Sequence, residues 1–127
     1  MTGPEGAPEL LQEAVVAELE NLEGEVLTTL LSLFFDEAAG QISDLRGAIG
    51  RGEALAVSQT AHKLKGGSST IGALRVSHIA AQLETTAEAG DLVVAEQLVD
   101  RLRDALDETR EAFRSRVADT HNDGTDG

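Results

Sequence analysis

His62, Lys65 and Gly66 fall within the run QTAHKLKGGSSTIGA, residues 59–73. The chemistry they suggest is transfer of a phosphoryl group to and from an imidazole nitrogen. An unperturbed imidazole has a pKa of about 6.5, so near neutral pH one ring nitrogen keeps a free lone pair without a dedicated base. In-line displacement at phosphorus requires the donor to come close, which bulky neighbours would prevent. A nearby cation offsets charge on the phosphoryl oxygens in transit. The spacing meets both demands. At about 100° per residue, the set Ala54, Val57, Ala61, Leu64, Ser68 and Ile71 centres roughly 130° away from His62, so the imidazole points to solvent. On the same wheel Ser69 lies about 20° from it, Ser58 and Gly66 about 40°, Lys65 about 60° and Lys63 about 100°. Lys63 and Lys65 are the only lysines of the chain.

Gly66 and Gly67 lie inside a helical pattern, where each costs about 1 kcal/mol relative to alanine. A local function is the expected reason for that cost. Other chemistries lack their parts. There is no phosphate-binding glycine loop for a nucleotide and no acidic cluster for Mg²⁺, so the phosphate must come from a partner. A metal site is disfavoured, because Lys65 and Gly66 stand where a second ligand at i+3 or i+4 would be needed. His78 and His121 read as ordinary solvated side chains.

Apolar residues recur every three or four positions through almost the whole chain, which predicts helices. A shorter amphipathic stretch, Leu10 to Leu22, comes first, with Asn21 and Gly24 as breakers. A long helix from Val26 to Ile49 should stop at Gly50-Arg51-Gly52. The segment bearing His62 should break near Gly72, and the next, from Val76, at Gly90. Asp91 suits the N-cap of the last helix, which runs through Leu92, Val99, Leu106 and Phe113. Short connections imply antiparallel neighbours. The expected fold is all-α, an antiparallel up-down four-helix bundle with an additional N-terminal helix laid against one end. Residues 1–8 are expected to be flexible, 9–118 to form the bundle, and 119–127 to be a disordered acidic tail. With three Phe and neither Trp nor Tyr, the core must be mostly aliphatic. Phe34, Phe35 and Phe113 read as bundle packing, Phe35 closing the junction with the N-terminal helix.

Ten Lys and Arg against 23 Asp and Glu give a net charge of −13, which argues against a nucleic-acid partner. Seven glutamates and no cation occupy residues 1–25, whereas residues 26–117 are close to balanced. No apolar run is long enough to span a bilayer, and no basic residue precedes the first apolar stretch as a secretory signal would require. The expectation is a cytoplasmic monomer without a membrane contact. The absence of cysteine removes disulfides and thiolate metal sites.

The twelve residues His62-Lys63-Leu64-Lys65-Gly66-Gly67-Ser68-Ser69-Thr70-Ile71-Gly72-Ala73 resemble the signature of histidine-containing phosphotransfer (HPt) domains, broadly H-x-L-K-G followed by small residues, an apolar residue and glycine. The resemblance implies a phosphoaccepting His62, a Lys65 that assists the phosphoryl group, and Gly66 as space for a docking receiver domain. Gly67 departs from the alanine or serine of many members. In some members a polar residue on the following helix hydrogen-bonds the other ring nitrogen. Glu84, 22 residues on, fits that role, with Gln82 in reserve. Ser58, Gln59, Lys63, Gly66 and Ser69 are the expected docking residues.

The implied function is a phosphorelay intermediate. It would take a phosphoryl group from a receiver-domain aspartate or a (hybrid) histidine kinase and pass it to a response-regulator aspartate. It would need no cofactor of its own, with Mg²⁺ held by the receiver. The competing reading is a non-catalytic helical adaptor with an incidental histidine.

Overall fold

The computed structural model describes residues 9–126, with side chains as far as Val117. Five helices follow in order: α1 (Glu13–Leu19), α2 (Gly24–Gly50), α3 (Ala54–Thr70), α4 (Leu74–Glu88) and α5 (Leu92–Asp126). No strand occurs among the described residues. Helix α2 packs on α3, α3 on α4, α4 on α5 and α5 back on α2, which closes an antiparallel four-helix ring.

Glycine sets the three corners of that ring in one way. Gly52, Gly72 and Gly90 take φ of +72°, +78° and +82°, the left-handed region that side chains with a Cβ avoid. At each corner two amides fold back on the helix end: Gly52 N–H to Ile49 and Glu53 N–H to Ala48, Gly72 to Ser69 and Ala73 to Ser68, Gly90 to Ala87 and Asp91 to Thr86. The carbonyls orphaned at the helix end are thereby satisfied. Asp91 then caps α5, its Oδ1 accepting from the Val94 amide at 3.1 Å.

Each bundle helix buries one leucine completely or nearly so: Leu45, Leu64, Leu83 and Leu102. Val57, Val76 and Val99 with Ala61, Ala80 and Ala95 fill between them, so the core is aliphatic as composition requires. Phe35 lies edge-on to Phe34 and Phe113 at 5.0 and 6.4 Å, with the Arg110 guanidinium 5.0 Å above its ring. It therefore joins α2 to α5. The cleft that α1 makes with the bundle is lined instead by Phe113, Val16, Leu19 and Leu27, a correction to the role read for Phe35.

Helix α1 is shorter than the amphipathic stretch that announced it, and Gly24 opens α2 instead of breaking a helix. Leu10 and Leu11 lie outside α1 because the chain there crosses the α3–α4 corner. The Gln12 amide donates to the Gly72 carbonyl at 2.8 Å and the Arg75 amide to that of Leu10 at 3.3 Å. Arg116 of α5 holds the other side of α1 through Glu20, at 3.0 and 3.2 Å, and Glu13, at 3.2 Å. Residues 1–8, expected to be flexible, lie outside the described residues. Helix α5 is traced to Asp126, so the backbone of residues 119–126, expected to be a disordered tail, is helical, and residue 127 lies outside the described residues. The side chains there lie outside the described residues.

Candidate functional site

His62 stands two residues before Leu64 on α3, so the burial of Leu64 in the core turns the imidazole outward. Its side chain is 65% exposed. Helix α3 continues unbroken through the glycine pair, and the hydroxyls that follow bond back to its own carbonyls. Ser68 Oγ donates to the Leu64 carbonyl and Thr70 Oγ1 to that of Gly66, each one turn back.

Helix α4 runs beside α3 and brings Glu84 to the histidine. Glu84 Oε2 lies 3.0 Å from His62 Nδ1, and Glu84 Oε1 accepts from Lys65 Nζ at 3.0 Å. One carboxylate therefore engages both groups that one turn of α3 presents. The Lys65 ammonium, hydrogen-bonded to it, holds the Glu84 carboxyl below the ordinary carboxylate range. Desolvation opposes this, and the His62 hydrogen bond adds to the lowering. An ionised Glu84 has no proton to give, so the His62 hydrogen bond calls for a proton on Nδ1, which in the neutral ring leaves the lone pair on Nε2. Nearer the corner Ser69 and Ser77 hydroxyls meet at 2.8 Å, which fixes the same pair of helices.

The expected docking residues separate. Gln59, Lys63, Gly66 and Ser69 are exposed on the histidine side of α3. A Cβ built on Gly66 would meet nothing within 4 Å, so the space beside the ring is open. Ser58, expected in the same clearing, is instead buried. It sits on the flank that also carries Lys65 and Ser69, and α4 covers that flank. The wheel locates the core's direction but treats both flanks alike. Gln82 is not at the site. It faces the groove between α4 and α5 with His78, Val94 and Leu98, because two residues along a helix turn a side chain to the far face.

Two features escaped sequence reasoning. Leu55, 70% exposed, lies seven residues before His62, on the same stripe two turns away. It reads from sequence as one more apolar residue near a helix start, although its heptad offset from His62 was a usable signal. The second feature is the pairing of Lys65 with Glu84, which needs the register between two helices. Among the described residues no cluster of His, Cys, Asp or Glu has the composition of a metal site, and no helix is long and apolar enough to cross a membrane.

The chain is similar in sequence and fold to known proteins. The phosphorelay protein LuxU of Vibrio vulnificus is 28% identical over 108 residues, spanning 84% of this chain and 94% of that protein. The crystal structure of histidine-containing phosphotransfer protein B (HptB) from Pseudomonas aeruginosa PAO1 superposes with a TM-score of 0.79 at 28% identity, covering 86% of this chain and 95% of that one. A rice protein described as a histidine-containing phosphotransfer protein shares the fold, with a TM-score of 0.77 at 19% identity over 86% of this chain and 80% of its own. The profile of the Hpt domain matches residues 29–112, from the first half of α2 well into α5. The chain therefore belongs to the Hpt domain family, the phosphotransfer intermediates of two-component signalling.

Proposed function

We propose that His62 is the residue that carries the phosphoryl group and that Nε2 is its reacting atom. The observation that carries this reading is the Nδ1 to Glu84 contact at 3.0 Å on a ring otherwise open to solvent. The Nε2 lone pair attacks the phosphorus of an aspartyl phosphate in a receiver domain. The N–P bond forms as the P–O bond to the aspartate breaks, and the aspartate leaves as a carboxylate. The Nδ1 proton stays in place, so the ring gains positive charge, which the Glu84 carboxylate offsets. The return step to a second receiver's aspartate runs through the same atoms in reverse.

Lys65 is poised one turn away. In the resting protein its ammonium is held by Glu84, and an arriving phosphoryl group offers it a second anionic partner. Gln59, Lys63, Gly66 and Ser69, together with Leu55, form the surface on which the receiver docks. The partners are receiver domains and a histidine kinase, with Mg²⁺ held on the receiver side. The protein works as a cytoplasmic monomer, and residues 9–118 are its phosphotransfer unit.

The test is incubation with a phosphorylated receiver, followed by assay for acid-labile, base-stable label. Wild type should be labelled and His62→Gln should not. Equal labelling of His62→Gln overturns the assignment.

A further inference from the structure

Helices α3 and α4 meet along a polar outer seam as well as through the core, and the seam repeats every seven residues. His62 and Ser69 stand seven apart on α3, and Ser77 and Glu84 seven apart on α4, so each pair points the same way two turns apart. Because the helices are antiparallel, the rungs match. Glu84 Oε2 lies 3.0 Å from His62 Nδ1, and the Ser69 and Ser77 hydroxyls meet at 2.8 Å. The first rung is the histidine site, whereas the second touches no reacting atom.

Ser77 makes one bond more. Its hydroxyl donates to the Lys65 carbonyl at 3.4 Å. A hydroxyl has a single proton, so with that proton directed at Lys65 it accepts from Ser69. Helix α4 thereby holds Lys65 at both ends, the carbonyl through Ser77 and the ammonium, at 3.0 Å, through Glu84.

The geometry of the site demands such a hold. One carboxylate spans two donors, each at 3.0 Å, and a hydrogen bond is lost beyond about 3.5 Å. A slip of α4 along α3 by about 0.5 Å therefore costs one of the two contacts. Packing between the rungs does little to resist it. By helical position α4 presents Ala80 and Ala81 there and α3 presents Lys65 and Gly66, so no bulky apolar side chain interlocks. Leu64 and Leu83 join the helices through the core, but apolar burial has no preferred direction. A polar pair at a helix seam does, and so specifies register.

We propose that Ser77 is a positioning residue for phosphotransfer: bonded to Ser69 and to the Lys65 carbonyl, its hydroxyl holds α4 at the register in which Glu84 reaches His62 and Lys65 together. Ser77 acts on the imidazole only through Glu84. Its part in transfer rests on His62 as the phosphorylated residue, and its part in register does not.

The test compares, in the full-length protein, Ser77→Ala, which removes the hydroxyl, with Ser77→Thr, which keeps it. In ¹⁵N–¹H spectra of the unphosphorylated protein at a pH where the ring is neutral, Ser77→Thr should show the single Nδ1–H tautomer of His62 and Ser77→Ala a mixture. By rapid quench with a phosphorylated receiver, Ser77→Ala should be labelled about threefold or more slower at saturation, with the half-saturating receiver concentration unchanged. Ser77→Thr should keep the wild-type rate. A single Nδ1–H tautomer in Ser77→Ala overturns the proposal, even if that variant unfolds at a lower temperature, since the hydroxyl then serves stability alone. So does a mixture in Ser77→Thr as large as in Ser77→Ala, or a wild-type labelling rate in Ser77→Ala. Failure of the His62 assignment would show separately, as labelling of His62→Gln, while the tautomer comparison, made without phosphate, still reads the register.

Discussion

Gly66 and Gly67 adjoin in sequence but face different surroundings, and substituting each separates stability from function. A Cβ on Gly66 would meet nothing within 4 Å, and one on Gly67 would rest 3.8 Å from the Phe34 ring, an ordinary contact. Neither glycine has a positive φ. Alanine at either site therefore gains helix propensity without a steric cost, about 0.8–1 kcal/mol each. Both gains come from helix propensity, and no Cβ contact links the two sites, so the double variant should gain more than either single one, up to about 2 kcal/mol. With a urea m-value of about 2 kcal/mol/M, that moves the unfolding midpoint up by about 1 M. Function should respond to one site alone. Gly67→Ala should transfer phosphate at the wild-type rate, whereas Gly66→Leu fills the opening beside His62 and should slow receiver-dependent labelling by about tenfold or more. Urea titrations with rapid-quench phosphotransfer read both quantities on the same proteins. The reasoning is refuted if Gly66→Ala lowers the midpoint, or if Gly66→Leu is labelled as fast as wild type.

Three further outcomes follow from particular contacts. Because the Glu84 carboxyl titrates below its ordinary value of 4.5, its stabilising contribution is present above that value and is lost as pH falls through the lower folded one. Wild type should therefore be more stable than Glu84→Gln at pH 7, with the gap closing only below about pH 4.5 in urea titrations. In ¹⁵N–¹H spectra at a pH where the ring is neutral, wild-type His62 should show a single Nδ1–H tautomer and Glu84→Ala a mixture. Gly52→Ala should cost about 1–2 kcal/mol, for its backbone conformation alone. Gly72→Ala should cost about 1–3 kcal/mol more, because its Cβ would sit 3.1 Å from Val15 and Val16 and 3.2 Å from the Gln12 carbonyl, displacing α1. Equal unfolding midpoints for those two variants would show that α1 does not bear on the corner.

Most of the histidine's surroundings belong to a single helix, and a helix has one period, so they are legible without coordinates. His62, Lys65, Gly66 and Ser69 take their relative directions from that period, and Leu64 and Ala61 show which way is inward. The same arithmetic fails at Ser58, because a wheel has no knowledge of which neighbouring helix lies on which flank. It also stops short at α1, where backbone hydrogen bonds from Gln12 and Arg75 across the Gly72 corner hold the chain outside a helix despite its amphipathic pattern. Side-chain periodicity carries no record of bonds made by the backbone.

The choice between Glu84 and Gln82 rests on register, and register is set by the corner. Two antiparallel helices joined by a tight turn bring together residues nearly equally distant from the turn's centre. Ser69 and Ser77, in contact at 2.8 Å, each lie four positions from Ala73. His62 and Glu84, in contact at 3.0 Å, each lie eleven positions from the same residue. Gly72 fixes that centre, since its positive φ ends α3 and lets the Ala73 amide close on Ser68. Gln82 lies nine positions from Ala73, level with the buried Leu64, and looks toward α5. An insertion of one residue at this corner would turn α4 by about 100° and carry Glu84 off the ring. The last glycine of the motif, ten residues from the histidine, thus acts at a distance on the imidazole's tautomer by deciding which α4 side chain arrives beside Nδ1.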